Sequence, residues 1–450
     1  MQNKDSGGQA AGRSGPAQAV RARSITGPQI VFTALCVLVF LAGVTTPFST
    51  MWNAAVLSFY EIAFVLMYVI LSRLSPSDVQ PAKADVIITI ALAAWFVSVT
   101  ISLISSPLGV ARTIPGVMRY EQTISHVIFF MAVREFFCRY RPPTHWVWIA
   151  VAASCFASAL GLGYRLARLD SYDAEASLAW FNNPPFNTHI RHTGYQVTAA
   201  VAALLVFFVA GGRVWVGRLP PLLILVTLST LLIWAGGRGA IFSVLGAFLL
   251  LAVTLRAKGV GSRDLWIAFI IAGVAGLLVS EWIAVFKWNG VIDLASRTAG
   301  AETLNQLSTG RLAFWKTSWE SVKDHLPFGL GPQGYWYMPN RIFGVQPHSF
   351  LVQFLVEWGL VGSLLFLALL AYAFFRGFYL NIVQPRGYLN IASLAAGTVI
   401  VALTAHGLVD GTYYHTQPSL YLALGFAIWT LPPRPEDASV VTKPEPGAAG

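Results

Sequence analysis

What most constrains this chain is the length of its uncharged apolar runs. Ile30–Val44 and Ala240–Leu255 each proceed without a single charge, and similar runs recur along the sequence. A membrane β-barrel would instead alternate apolar and polar residues over about ten positions. Runs this long and continuous suit helices that cross a bilayer, each needing about 20 mostly apolar residues. Composition agrees: 11% of the residues are charged, against about 25% in an ordinary soluble domain. So few charges exclude both a soluble globular enzyme and a disordered chain. The expected fold is an all-α polytopic membrane protein. A net charge of +10 would raise nucleic acid as a partner for a soluble protein. Here it raises a question of sidedness, with membrane lipids as the surroundings and no nucleic acid partner. Cys36, Cys138 and Cys155 lie in or beside apolar runs without metal-ligand spacing, so no disulfide framework is expected.

Twelve spans are expected, near 28–46, 52–73, 84–106, 120–138, 145–164, 193–210, 219–235, 239–256, 264–286, 349–375, 388–408 and 418–432. The break at Gly236-Gly237-Arg238-Gly239 separates the seventh from the eighth, or kinks one longer helix. No small-residue cleavage site follows the first span, which reads as an uncleaved anchor. The expected organisation is a cytoplasmic tail at 1–27, a bundle at 28–286 with an outer loop at 165–192, and an outer loop domain at 287–348. Spans 10–12 follow at 349–432, then a tail at 433–450. Both tails are polar and Gly/Ala/Pro-rich and read as disordered.

With both termini inside, eighteen of the 30 Lys and Arg fall on inner segments, as the positive-inside rule requires. The other twelve are outside, nine of them Arg: Arg112, Arg119, Arg165, Arg168, Arg191, Arg238, Arg297, Arg311 and Arg341. Arg offers a planar, permanently charged fork suited to phosphate and carboxylate. Outer acids such as Asp293, Glu302 and Glu320 account for several of these. Arg191 and Arg238 lie at span ends with no acid within ten residues.

A structureless loop of about sixty residues is unusual, so 287–348 should fold as a small outer domain or lid. Ser308 or Thr309 can cap a helix. Leu312, Trp315, Trp319 and Val322 would form its apolar face, lying flat at the membrane–water boundary. Arg311 in the first turn opposes the helix dipole at a cost of ~0.3–1 kcal/mol. An anion held by free backbone N–H groups and Arg311 would reverse that cost; otherwise Arg311 reaches solvent or an acid. Pro347-His348-Ser349 opens the tenth span. A neutral His348 at a helix N-terminus can accept a proton as a general base, or it can bind lipid headgroups or cap a loop. Glu357, inside an apolar run, is a functional candidate or a structural partner for an Arg or Tyr. His189-x-x-His192 and His406-x-x-x-Asp410 lack further ligands for a metal site. Tyr413-Tyr414-His415 reads as an interfacial belt.

Four motifs occur in order: Gly237-Arg238-Gly239; Gly310-Arg311 with Trp315; Pro327-Phe328-Gly329-Leu330-Gly331; and His348 with Phe350-Leu351, Glu357, Gly359 and Gly362. Together they resemble the O-antigen ligase family, membrane enzymes that join O-antigen polysaccharide to lipid A-core. The wider superfamily includes O-antigen polymerases and protein O-oligosaccharyltransferases. The resemblance covers most of the chain, although the family often has Asn where Ser349 stands. The series is more specific for the superfamily than for ligase over polymerase.

The resemblance implies a GT-C-like glycosyltransferase in the bacterial inner membrane with its site facing the periplasm. The donor would be a glycan on undecaprenyl pyrophosphate and the acceptor lipid A-core. Transfer would be inverting and metal-independent, with no cofactor. His348 would be the base, and Arg238 and Arg311 would hold the pyrophosphate. Arg191 joins them on the charge argument. Gly331, Gln333, Tyr335 and Glu357 are supporting candidates. An apolar lateral groove would have to hold the polyprenyl tail. A twelve-span secondary transporter is the competing class. It predicts two related halves and a midplane polar site, whereas the polar constellation here lies at one face.

Overall fold

A computed structural model describes residues 26–45, 51–74, 86–109, 113–182, 190–209, 218–286, 288–342, 346–383 and 390–432. The two expected tails lie outside the described residues, apart from Thr26 and Gly27. Among the described residues the regular structure is helical, with no strand. The helices are α1 Gly27–Thr45, α2 Met51–Leu74, α3 Val86–Ile104, α4 Ile114–Tyr140, α5 His145–Leu166, α6 Ala174–Asn182, α7 Ile190–Val206, α8 Leu219–Trp234 and α9 Arg238–Ala257. They continue with α10 Arg263–Trp282, α11 Gly290–Ala299, α12 Leu304–Leu307, α13 Arg311–Val322, α14 Gly334–Tyr337, α15 Phe350–Phe378, α16 Ile391–Val409 and α17 Thr416–Trp429.

Each of the twelve expected spans coincides with a helix: α1–α5, α7–α10 and α15–α17. Eight of these are long and apolar enough to cross a membrane. The other four fall short for visible reasons. α4 carries Arg119, Glu121, Arg134, Glu135 and Arg139, and α7, α8 and α17 have 17, 16 and 14 residues. The two long segments between spans contain the remaining helices, α6 in the first and α11–α14 in the second. α8 and α9 are separate helices, so Gly236–Gly239 is a turn and not a kink.

The packing is layered. α7, α16 and α17 form the interior, and 72% of the α16 span is buried. Small residues permit this close approach: Ala199, Ala200, Ala202 and Ala203 on α7, and Ala392, Ala395, Ala396, Gly397 and Ala402 on α16 are all buried. The outer layer exposes large apolar side chains such as Ile90 on α3 and Leu278 on α10. Hydrocarbon tails would cover these at no desolvation cost.

α15 departs from the expected tenth span. Gly359 has φ 66° and ψ −169°, so a short half-helix, Phe350–Trp358, precedes the break. Leu360–Phe378 then spans about 28 Å at 1.5 Å per residue, close to the hydrocarbon thickness of about 30 Å. The backbone groups freed at the break are paired by the Pro327–Gly331 turn. Leu330 N donates to Val356 O (2.7 Å) and Gly331 N to Glu357 O (3.1 Å). In return, Leu360 N donates to Leu326 O (2.6 Å) and Val361 N to Pro327 O (3.2 Å). Gly329 has φ +72°, and a Cβ there would lie 2.7 Å from Val356 O. Ser102 and Ser106 at the end of α3 donate to Glu357 O (2.5 Å) and Leu330 O (2.6 Å), closing the other side.

Candidate active site

The site forms where four elements end at one face of the bundle. α9 begins there at Arg238, α13 at Arg311 and α7 at Ile190, while α16 ends there just before Asp410. Gly239 makes the approach of α9 to α16 possible, because a Cβ there would press on His406 Cδ2 at 3.0 Å and Val409 Cγ2 at 3.1 Å. The Gly-Arg-Gly motif thus seats Arg238 beside the end of α16.

His348 adopts φ 53° immediately before Ser349, the N-cap of α15. Its backbone is held from α13, where Trp315 Nε1 donates to Pro347 O (2.9 Å). The Phe314 ring stacks against the imidazole at 6.0 Å. His348 Nδ1 lies 2.9 Å from Asp410 Oδ1. That oxygen also accepts from Tyr195 Oη (2.6 Å) and Gly411 N (2.9 Å). Asp410 Oδ2 faces Arg311 Nη2 at 3.5 Å and His406 Nε2 at 3.9 Å. Burial pushes the Asp410 carboxyl up, but the His348 hydrogen bond and the charges of His348, His406 and Arg311 outweigh it, holding it well below the usual carboxylate range. An ionised Asp410 can only accept, so Nδ1 of His348 carries a hydrogen, and in the neutral imidazole the lone pair lies on Nε2. The imidazole is oriented by this carboxylate, which the helix-terminus argument did not foresee.

Arg311 is the first residue of α13, as expected, but the cap differs. Gly310, at φ 82°, is the N-cap, and Thr309 precedes it at φ 59°. Asn305 Oδ1 accepts from Ala313 N (3.1 Å), Ser308 Oγ from Leu312 N (3.5 Å) and Ser308 O from Arg311 N (3.4 Å). The first N–H groups are therefore occupied, and only the guanidinium remains to hold an anion. The expected apolar face of α13 is also displaced. Phe314, Ser318 and Val322 are buried, while Leu312 and Trp319 are exposed.

Arg238 donates to Thr298 Oγ1 (3.3 Å) and Thr309 Oγ1 (2.8 Å). Among the described residues it makes no ion pair. Arg191 lies in the first turn of α7, and its side chain falls outside the described residues, as does His189.

The supporting candidates form a second cluster. Glu357 is fully buried. Its carboxylate accepts from the Gln353 amide and from Gln333 N (3.1 Å) and pairs with Arg119 Nε (3.5 Å). Gln333 Oε1 accepts from Tyr414 Oη (3.1 Å). Arg119 also donates to Tyr414 O (2.9 Å) and lies over the Tyr414 ring at 4.6 Å. Gly331 has φ +90°, and a Cβ there would meet the Ser106 side chain at 2.7 Å. Tyr335 is fully buried, and burial pushes its phenol up to about 12. These residues hold the turn against α15, and among the described residues no hydrogen bond or ion pair joins them to His348.

Tyr413-Tyr414-His415 is not an interfacial belt. Tyr413 and His415 are buried. The His415 ring lies 4.4 Å from His192 and 5.0 Å from Tyr195, with Gln346 Nε2 3.0 Å from its Nε2. Among the described residues no three His, Cys, Asp or Glu are grouped to hold a metal ion. Sequence reasoning missed Asp410 as the partner of His348. The available signal was an acid at the end of an apolar span.

A helical multi-pass bundle with an oriented His, its carboxylate and two arginines at one face defines a polytopic membrane protein with a polar cluster at one end. Residues 223–367 match the family described as O-Antigen ligase, which supports the chain's place in the O-antigen ligase superfamily, a family of membrane glycosyltransferase type. No curated protein matches the chain. Arg238, Arg311 and His348 fall within the matched stretch, and Arg191 and Asp410 fall outside it.

Proposed function

We propose that this protein transfers O-antigen polysaccharide from undecaprenyl pyrophosphate to a sugar hydroxyl of lipid A-core at the periplasmic face of the bacterial inner membrane. The observation that carries this reading is the contact of His348 Nδ1 with Asp410 (2.9 Å), with Arg311 on the same carboxylate and Arg238 nearby. His348 Nε2 removes the proton from the acceptor hydroxyl as its oxygen attacks the anomeric carbon. Direct displacement inverts that carbon and releases the polyprenyl pyrophosphate. Arg238 and Arg311 stabilise the negative charge growing on the leaving group, and Arg191 is assigned beside them on its placement in the first turn of α7. Gly331, Gln333, Tyr335 and Glu357 hold the surrounding turn.

An apolar cleft between α9, α15, α16 and α17, lined by residues including Leu250, Leu251, Phe374, Phe378, Leu394 and Trp429, offers the polyprenyl tail an apolar wall. α9 and α16 lead from it to Arg238 and Asp410. An O-antigen polymerase or a protein O-oligosaccharyltransferase would use the same donor and the same groups. The placement of the charged site at one end of the bundle favours transfer over a twelve-span transporter, whose site would lie at the midplane.

The test is transfer in vitro with purified protein, lipid A-core and polyprenyl-linked glycan, with and without chelator. Product on lipid A-core in both conditions is expected. Elongation of lipid-linked glycan alone would assign a polymerase, and a strict need for added divalent metal would overturn the arginine-based mechanism. Solute transport without glycan transfer would reject the enzyme.

A further inference from the structure

A further arginine stands at the edge of this site without a role. Arg297 lies in the last turn of α11, a helix fixed firmly at its other end. Glu281 from α10 accepts from Val291 N and from Ile292 N (3.3 Å). Asn289 Oδ1 accepts from Phe286 N (3.2 Å), and Trp288 packs on Trp234 at 5.4 Å. This anchorage directs the C-terminal end of α11 at the Gly236-Gly237-Arg238 turn, where Thr298 meets Arg238.

Arg297 Nε donates to Asp293 Oδ2 at 2.5 Å, an i,i+4 pair on the same helix. Its Nη2 is buried and has no hydrogen-bond partner among the described residues. That nitrogen faces Gly236, where a Cβ would lie 3.4 Å from it and 2.9 Å from Trp288 O. Any side chain at position 236 would fill the space in front of Nη2, and φ +65° at Gly236 disfavours one as well. Arg238 lies within electrostatic range of both Arg311 and Arg297. Three like charges from α9, α11 and α13 therefore converge with two carboxylates among them. Asp293 is engaged by Arg297, and Asp410 gives Arg311 only its longer contact because Oδ1 is taken by His348, Tyr195 and Gly411. Such repulsion is tolerated where an anion completes the set.

We infer that Arg297, through its unpartnered Nη2 beside Gly236, is a further substrate-binding residue, and that Arg238, Arg297 and Arg311 together form a subsite for two adjacent phosphoryl groups. This rests on the transferase reading above. It deepens that reading by naming the residue that meets the second phosphoryl group of the donor's diphosphate. A single phosphoryl group is met by the pair already described, and a second gives Arg297 its partner.

The experiment is titration calorimetry of the full-length protein in detergent micelles with inorganic pyrophosphate and, separately, orthophosphate. Arg297→Ala is expected to weaken pyrophosphate binding about tenfold or more, the scale of one charge-assisted contact, and to leave orthophosphate nearly unchanged. Arg297→Lys should recover part of the loss, which a collapse of α11 would not allow. Arg238→Ala is the control and should weaken both anions. If Arg238→Ala weakens pyrophosphate and Arg297→Ala does not, the inference fails while the transferase reading stands. If Arg297→Ala weakens both anions equally, the diphosphate assignment fails. If neither variant matters, both readings fall together.

Discussion

Two Arg–carboxylate pairs lie at the same end of the bundle, each with an N···O separation of 3.5 Å, and they serve different ends. Arg119 and Glu357 are 7% and 0% exposed, enclosed by Gln353, Gln333 and the Tyr413–Tyr414 carbonyls. Arg311 and Asp410 are 17% and 9% exposed, beside a His348 that is 31% exposed. The closed pair ties the Pro327–Gly331 turn, α4 and α15 together. The open pair leaves a guanidinium and an imidazole partly exposed. The lesson is that pair length does not separate a closed structural ion pair from one proposed to meet substrate; what encloses it does.

The largest expected effect falls on the open pair. His348→Ala should lower transfer on the order of 10²–10⁴-fold, with the melting temperature in detergent little changed. Asp410→Ala should lower transfer as far and also cost stability, because Tyr195 Oη, Gly411 N and Arg311 lose their buried acceptor. Retained activity in the His348 variant would remove the base from the mechanism. The closed pair should behave in the opposite way. Arg119→Ala or Glu357→Ala leaves a buried charge unpaired, at a cost of about 3–5 kcal/mol, read as lost thermal stability. The double variant Arg119→Gln/Glu357→Gln should lose less. A Glu357→Gln protein that melts normally yet transfers nothing would break the division between the two pairs.

Next come the glycines that join the two regions. Gly329→Ala or Gly359→Ala forces a Cβ into backbone contact at positive φ and should destabilise by about 1–3 kcal/mol, again by melting. Arg311→Lys keeps the charge but loses the fork, so transfer should fall by about tenfold, a loss of about 1.4 kcal/mol.

The smallest effect is with pH. Burial, then the charges of neighbours such as His192, hold His415 well below its ordinary value. Its neutral form is therefore favoured in the folded state, and the unfolded chain binds the proton first. Stability from this group is complete above about pH 6.5 and declines as pH falls below that. Asp410, also depressed, adds a loss that begins only near its unfolded value of about 3.9. The melting temperature should fall between pH 7 and pH 5, and His415→Gln should make that fall shallower.

The twelve helices were legible because apolar length is a local property, and all twelve lie where the runs predict them. The break in α15 was not legible, because the apolar run continues across Gly359 and only a turn some thirty residues earlier fixes it. His348, Arg238 and Arg311 were legible through motif order and charge sidedness. Asp410 was not, because its pairing with a residue 62 positions away depends on where α16 ends in space. Arg119 looked like one more outer cation until the fold placed Glu357 against it.

The four-bond ladder between the Pro327–Gly331 turn and the gap in α15 also limits how the protein can be rearranged. The turn leaves the ribosome before its partner does, so its hydrogen-bonding groups wait for a helix still to be inserted. Neither half is complete without the other. Segment 287–348 is therefore not an exchangeable cartridge. A chimera that imports this loop from a relative must import residues through Val361 with it, and one that stops at His348 should yield a chain that inserts but does not mature.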